Sequence, residues 1–170
     1  MAHELFHEIS PKEMTDNLFA AFGDEWALLT AGTEKKANMM TIGWATAGIL
    51  WKRPIVTVFV RPHRYTYQFM EKSLRFSVAF LEKRHRGTLN FCGSTSGKDR
   101  DKVKDSGLTL LHEEGVPYFA ESRLVLFCRK IYLHDIDPKN FLDPTIEENY
   151  PAKDYHRMYV GHIEKVFTKR

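Results

Sequence analysis

Cysteine is scarce in this chain: of 170 residues only Cys92 and Cys128 carry a thiol. Two thiols cannot supply the disulfide framework of a small secreted fold, and neither a C-x-x-C nor an H-E-x-x-H spacing occurs. His156 and His162 stand six apart, a spacing typical of no metal site, so no metal is expected. Long apolar runs are also missing. The best candidates, residues 55–60 and 124–128, fall far short of the ~18 residues needed to cross a bilayer. The opening MAHELFHEIS has neither the basic leader nor the apolar core of a secretory signal. These absences predict a cytoplasmic protein with no membrane partner. Charge of one sign is lacking too, with 25 basic against 22 acidic residues and a net charge of +3, and the basic residues are spread along the chain. That distribution argues against nucleic acid as a partner. No repeat, low-complexity tract or linker divides the sequence, and its length suits a single domain spanning residues 1–170.

What is present is β-rich. Runs of β-branched and aromatic residues predict strands over residues 26–33, 39–47, 55–61, 76–81, 124–133 and 158–167. The polar GTEKKAN turn makes the first two antiparallel neighbours. Residues 55–60 are apolar on both sides of the pleat, as a strand covered on both faces requires. Ser10-Pro11-Lys12-Glu13 carries a cap, a proline at the first helical position and a glutamate at the third, predicting a helix from there to Phe22. Helical segments are also expected over residues 65–72 and 84–92, and DPTIEENYPAKDY reads as a surface loop before the last strand. Short antiparallel connections with two or three accessory helices predict a mainly β fold, a closed or partly closed barrel, because closure removes exposed edges.

Three stretches carry candidate chemistry. In NMMTIGWATAG, residues 38–48, alternation sets Met40, Ile42 and Trp44 on one side and Thr41, Gly43, Ala45 and Ala47 on the other, leaving one face nearly bare. Another part of the chain or a flat ligand must fill that space. Asn38, Met39 and Met40 at its start combine an amide with soft apolar contact. The second stretch, RPHRYTY, places the cations Arg61, His63 and Arg64 and the hydroxyls of Tyr65, Thr66 and Tyr67 where a strand ends and a helix begins, a setting suited to phosphate. Its plain alternative is a solvated basic turn. The third, GSTSGKD, fails as a Walker loop because only three residues separate its glycines and Asp99 follows Lys98. It fails as a nucleophile elbow because the preceding RGTLNFC is helical in pattern. A small-residue loop remains, with Ser94, Thr95 and Ser96 followed by Lys98 and Lys102, able to approach a ligand or merely to cap a helix. Cys92 beside it is given a lining role, and His156 before the last strand is a candidate for the same pocket.

Taken in order, these stretches resemble the flavin reductase-like, FMN-binding split-barrel family, which includes the flavoredoxins. Asn38, Met40, Thr41 and Trp44 match its N-x-M-T-x-x-W strand; Arg61, Arg64 and Thr66 fit its phosphate-binding turn; Cys92, Gly93, Ser96, Gly97, Asp101 and Lys102 match its C-G-x-x-S-G-x-x-x-D-K loop. The resemblance covers most of the chain from Trp26 onward. It implies a homodimer of split barrels, one FMN per subunit near the interface, and NADH or NADPH as a transient hydride donor. No G-x-G-x-x-G fingerprint is present, so a nicotinamide would be held over the flavin and not in a Rossmann domain. The reduced flavin would pass electrons to free flavin or to a protein acceptor. A flavoredoxin-type carrier with tightly bound FMN and a protein partner is the alternative, and a cofactor-free binding barrel is a third reading.

Overall fold

The computed structural model describes residues 2–170, with side chains from residue 4 onward. In chain order the described residues form α1 (Ala2–Leu5), β1 (Phe6–Ile9), α2 (Leu18–Ala20), β2 (Ala27–Gly32), β3 (Ala37–Ile42), β4 (Ala45–Leu50), β5 (Arg53–Val60), α3 (Tyr65–Lys72) and β6 (Arg75–Leu81). There follow α4 (Arg86–Ser94), α5 (Lys102–Asp105), β7 (Leu110–Glu113), β8 (Val116–Phe119), β9 (Ser122–Asp135) and β10 (Arg157–Lys169). The main sheet is antiparallel, in the order β3-β2-β6-β9-β10-β5-β4, with β1 pairing the far end of β10.

The two edges of that path are consecutive in sequence. Ile42 ends β3 and Ala45 begins β4, three peptide units that reach at most ~11 Å. The sheet must therefore roll up until its edges meet. No ladder joins β3 to β4, so the barrel is split at the point where the chain steps from one edge to the other. The fold is the mainly β barrel that the strand pattern predicts, and the β2–β3 hairpin pairs Gly32 with Ala37 as expected.

Successive residues of the barrel strands serve two cores. Leu29, Met40, Val56, Val58, Phe76, Val78 and Leu126 fill the barrel, while Leu28, Met39, Leu81, Leu89 and Cys92 pack outside it under α4. Phe6, Tyr118, Phe127 and Phe167 form a third cluster beneath the β7–β8 hairpin.

Several expectations need correction. The predicted strand over residues 39–47 is broken at Gly43-Trp44, so Trp44 does not share a face with Met40 and Ile42; it is half exposed whereas they are buried. The predicted helix from Ser10 to Phe22 is replaced by a 3-10 turn over Pro11–Glu13, the short α2 and a π turn over Ala21–Glu25. The Ser10 capping box forms as read, but Asn17 accepts from the amides of Phe19 and Ala20 and starts a new turn, so side-chain caps divide the segment. The helix expected over residues 84–92 begins with a 3-10 turn at Lys83–His85 and runs on as α4 to Ser94. Strands β1, β7 and β8 were not foreseen.

Candidate functional site

Two hollows share the Arg64 side chain as a wall. The first, about 330 Å³, lies at the split in the barrel and is lined by Met40 to Trp44, Trp26, Phe59, Arg61, Arg64 and His156. The bare strand face does not open wholly onto it. Helix α4 docks over Thr41, whose hydroxyl donates to the Leu89 carbonyl at 2.5 Å, and a Cβ on Gly93 would lie 3.3 Å from the Thr41 Cβ. Trp26 covers Gly43: a Cβ there would stand 3.2 Å from its ring. Trp26 is itself held at φ 67° and overlain by the Arg86 guanidinium, 3.4 Å from the ring centroid, which also donates to the carbonyls of Asp24 and Glu25. The hollow is thus a slot beside the small residues, walled by aromatic rings.

The second hollow, about 180 Å³, lies between the start of α3 and the loop that leaves α4. His63, Arg64, Tyr65, Thr66, Gly93 to Gly97 and Lys102 line it. Arg64 is the N-cap of α3 and makes no side-chain cap bond, so the first amides of that helix are not occupied by it. Its guanidinium donates to the Gly93 carbonyl at 3.1 Å; burial, with repulsion from Arg61, holds its pKa below the usual range. Lys102, 3% exposed, donates to the Cys92 carbonyl at 3.0 Å. Burial brings its ammonium down to about 8, with Arg64 pushing the same way and Cys92 opposing. Among the described residues neither Arg64 nor Lys102 has a carboxylate within ion-pair distance. A half-buried and a buried cation that meet only neutral carbonyls suit an anion.

The wall of this hollow is a tight crossing. Asn38 donates to the Thr66 hydroxyl at 2.8 Å, and a Cβ on Gly97 would fall 2.2 Å from Asn38 Oδ1 and 2.8 Å from the Tyr65 ring. Only glycine lets the loop pass there.

The structure therefore brings together most of the residues singled out in the sequence, in two groups. Met40, Thr41, Trp44, Arg61 and His156 line the aromatic slot; His63, Tyr65, Thr66, Gly93, Ser94, Ser96 and Lys102 line the cationic hollow; Arg64 serves both. Arg61 sits apart from the cationic hollow because its fork is taken by Asp154 (2.7 Å) and the Asn149 carbonyl (2.8 Å), and His63 pairs with the same Asp154 at 3.0 Å. Met39 and Cys92 turn their side chains into the core under α4, and burial pushes the Cys92 thiol up to about 11. Asn38 and Lys98 line a neighbouring surface groove on the other side of Gly97. Trp26, Phe59 and Tyr150 were not among the candidates, whereas Thr95 of the small-residue loop lines the cationic hollow as read. Trp26 stands a strand and a turn before the motif it joins, and Phe59 lies two residues before Arg61 in a run that reads as core.

A family model for the flavin reductase-like domain matches residues 19–170. The chain belongs to the flavin reductase-like family. Among solved structures similar to this family member, flavoredoxin from Methanosarcina acetivorans aligns with a TM-score of 0.65 at 25% identity, covering 85% of this chain and 68% of that one. An FMN-binding domain of a flavin reductases-like enzyme from Shewanella baltica OS155 aligns at 0.68 and 19% identity, over 96% and 76% of the two chains. The styrene monooxygenase flavin reductase from Pseudomonas putida S12 aligns at 0.62 and 17%, over 85% and 79%. The last two share the fold. No curated protein sequence matches this flavin reductase-like chain. Among the described residues, no helix is long and apolar enough to cross a membrane.

Proposed function

We propose that this protein binds FMN and is an NADH- or NADPH-dependent flavin reductase, its electrons passing to free flavin or to an acceptor protein. The observation that carries the reading is a pair of cations, the half-buried Arg64 and the buried Lys102, without carboxylate partners, in a hollow that adjoins an aromatic slot through Arg64. A phosphate and a planar ring on one ligand fit such a pair of hollows, the larger of which lies in the size range of small-molecule sites. Arg64, Lys102, the hydroxyls of Ser94, Thr95 and Ser96 and the first amides of α3 would hold the phosphate. Trp26, Trp44 and Phe59 would orient the ring and exclude water from it, and the half-exposed Trp44 rims the side from which a nicotinamide would approach. Bound FMN supplies the hydride-accepting centre that the chain's own side chains lack.

A homodimer belongs to this reading. Exposed Ile49, Trp51, Tyr132 and Leu133 support an apolar contact surface, and light scattering checks the assembly. Likeness to a flavoredoxin at 25% identity favours a second reading, an electron carrier that holds FMN and serves a protein partner. Titration with FMN, followed by its absorbance near ~450 nm, tests the site, and failure to bind removes both readings. Steady-state oxidation of NADH and NADPH with added FMN separates them. Turnover above that of free flavin identifies the reductase, and its absence leaves the carrier.

A further inference from the structure

The segment between β9 and β10 ends at His156, on the wall of the aromatic slot. Arg61 ties that end down at three points. It donates to Asp154 at 2.7 Å and to the Asn149 carbonyl at 2.8 Å, and its guanidinium lies 4.9 Å from the Tyr150 ring centroid. Tyr150 and His156 are 4% and 8% exposed, with the phenol oxygen 2.8 Å from His156 Nδ1.

Which atom donates in that pair follows from an accounting of hydrogens. The Tyr150 hydroxyl oxygen also accepts from the backbone amide of His156, and among the described residues Nδ1 is the acceptor within reach of its hydrogen. Were Nδ1–H the donor, the phenol hydrogen would be buried without an acceptor, a loss of about 1–3 kcal/mol. The hydroxyl therefore donates to Nδ1, and in the neutral ring the proton resides on Nε2. Nε2 bonds to no group of the described chain and is not sealed from solvent; the ring stands 5.2 Å from Trp44 and 6.4 Å from Phe59, centroid to centroid.

We propose that His156 is a neutral hydrogen-bond donor to the ring of the bound cofactor, with Tyr150 and Arg61 as positioning residues that fix its tautomer and place. The site then selects a planar ring presenting to Nε2–H an acceptor that survives reduction, a carbonyl oxygen or a ring nitrogen that does not take up the hydride. The proposal rests on the flavin reading above. The charged groups around the imidazole oppose a switch. Burial and Arg61 keep it neutral, Asp154 pulls the other way and His63 adds repulsion, so that it protonates only at about 4. The donor is therefore constant across the physiological range.

Wild type, His156→Leu, His156→Gln and Tyr150→Phe are titrated with FMN, and each complex is assayed for midpoint potential and for hydride transfer from NADH or NADPH between pH 5 and 8. A neutral donor favours the electron-rich, reduced ring. His156→Leu is expected to lower the midpoint and slow hydride transfer about three- to tenfold, the worth of one hydrogen bond. His156→Gln keeps an N–H donor and restores part of both. Tyr150→Phe releases the tautomer and lets the imidazole protonate at higher pH, so a further pH dependence is added to the one wild type shows. Wild type that binds no FMN overturns the flavin reading and this proposal with it. Four complexes with one midpoint and one pH profile overturn the role of His156 alone.

Discussion

At Lys102 the cost of burying a charge becomes a handle on function. Its ammonium is neutralised near pH 8 in the free protein because burial removes water and one carbonyl is its acceptor. A bound phosphate needs the charged form. FMN affinity is therefore expected to be full below about 8 and to weaken as pH rises through that value, by up to ~tenfold per pH unit, in equilibrium titrations by fluorescence. Lys102→Met should weaken FMN but leave riboflavin, which has no phosphate, unaffected. Its Tm should not fall, since replacing a buried cation by an apolar chain of similar volume is often neutral or stabilising. Arg64→Ala should act in the same direction. Thr41 teaches the opposite lesson. Its hydroxyl is committed to the Leu89 carbonyl, so Thr41→Val strips α4 of a docking bond and is expected to cost about 1–3 kcal/mol in denaturant unfolding.

Among the elements, α4 and the loop behind it build the cationic hollow by close approach of backbone to strand. Gly97 is the tightest point. Gly97→Ala would drive a methyl into Asn38 Oδ1 and the Tyr65 ring, forcing the loop outward and breaking the Asn38–Thr66 bond. The expected result is a loss of about 1–3 kcal/mol of stability, read by chemical denaturation, together with weaker FMN binding. Runs of β-branched and aromatic residues made β2, β5, β6, β9 and β10 legible, and the spacing of Thr66, Phe69 and Met70 did so for α3. The turns were less so. The β4–β5 hairpin reverses at Trp51-Lys52 with φ of 50° and 59°, positive values that Gly or Asn usually announces and that neither residue advertises. The β7–β8 turn at Glu114-Gly115 carries a partial signal in its glycine. Strand β1 is four residues long and gains its stability from pairing with β10, so nothing local marks it.

For the molecule as a whole, the rolled sheet brings chain segments from residues 26 to 156 to one seam. The His156 end of the β9–β10 segment belongs to that seam, and its stability should titrate. His156 has its proton affinity depressed in the fold, from 6.5 to about 4, so the unfolded chain binds the proton more tightly. Its contribution is intact above pH 6.5 and is lost as pH falls from there toward 4. The loss is bounded at roughly 3 kcal/mol by the size of the shift. Thermal unfolding should show a steeper fall in Tm over that window for wild type than for His156→Gln, and hydrogen exchange should place the early opening in residues 136–156.

The sequence alone determined the β-rich barrel, the family and both stretches that line the cationic hollow, because residue type, caps and small-residue loops are local properties written in consecutive residues. Only the tertiary structure decided that the strand breaks at Gly43-Trp44, that Trp26 and α4 occupy the small-residue face, that Arg61 braces a loop, and that Met39 and Cys92 point into the core. Each of those outcomes depends on which distant side chain arrives to fill a space, and packing between remote segments leaves no period in either one.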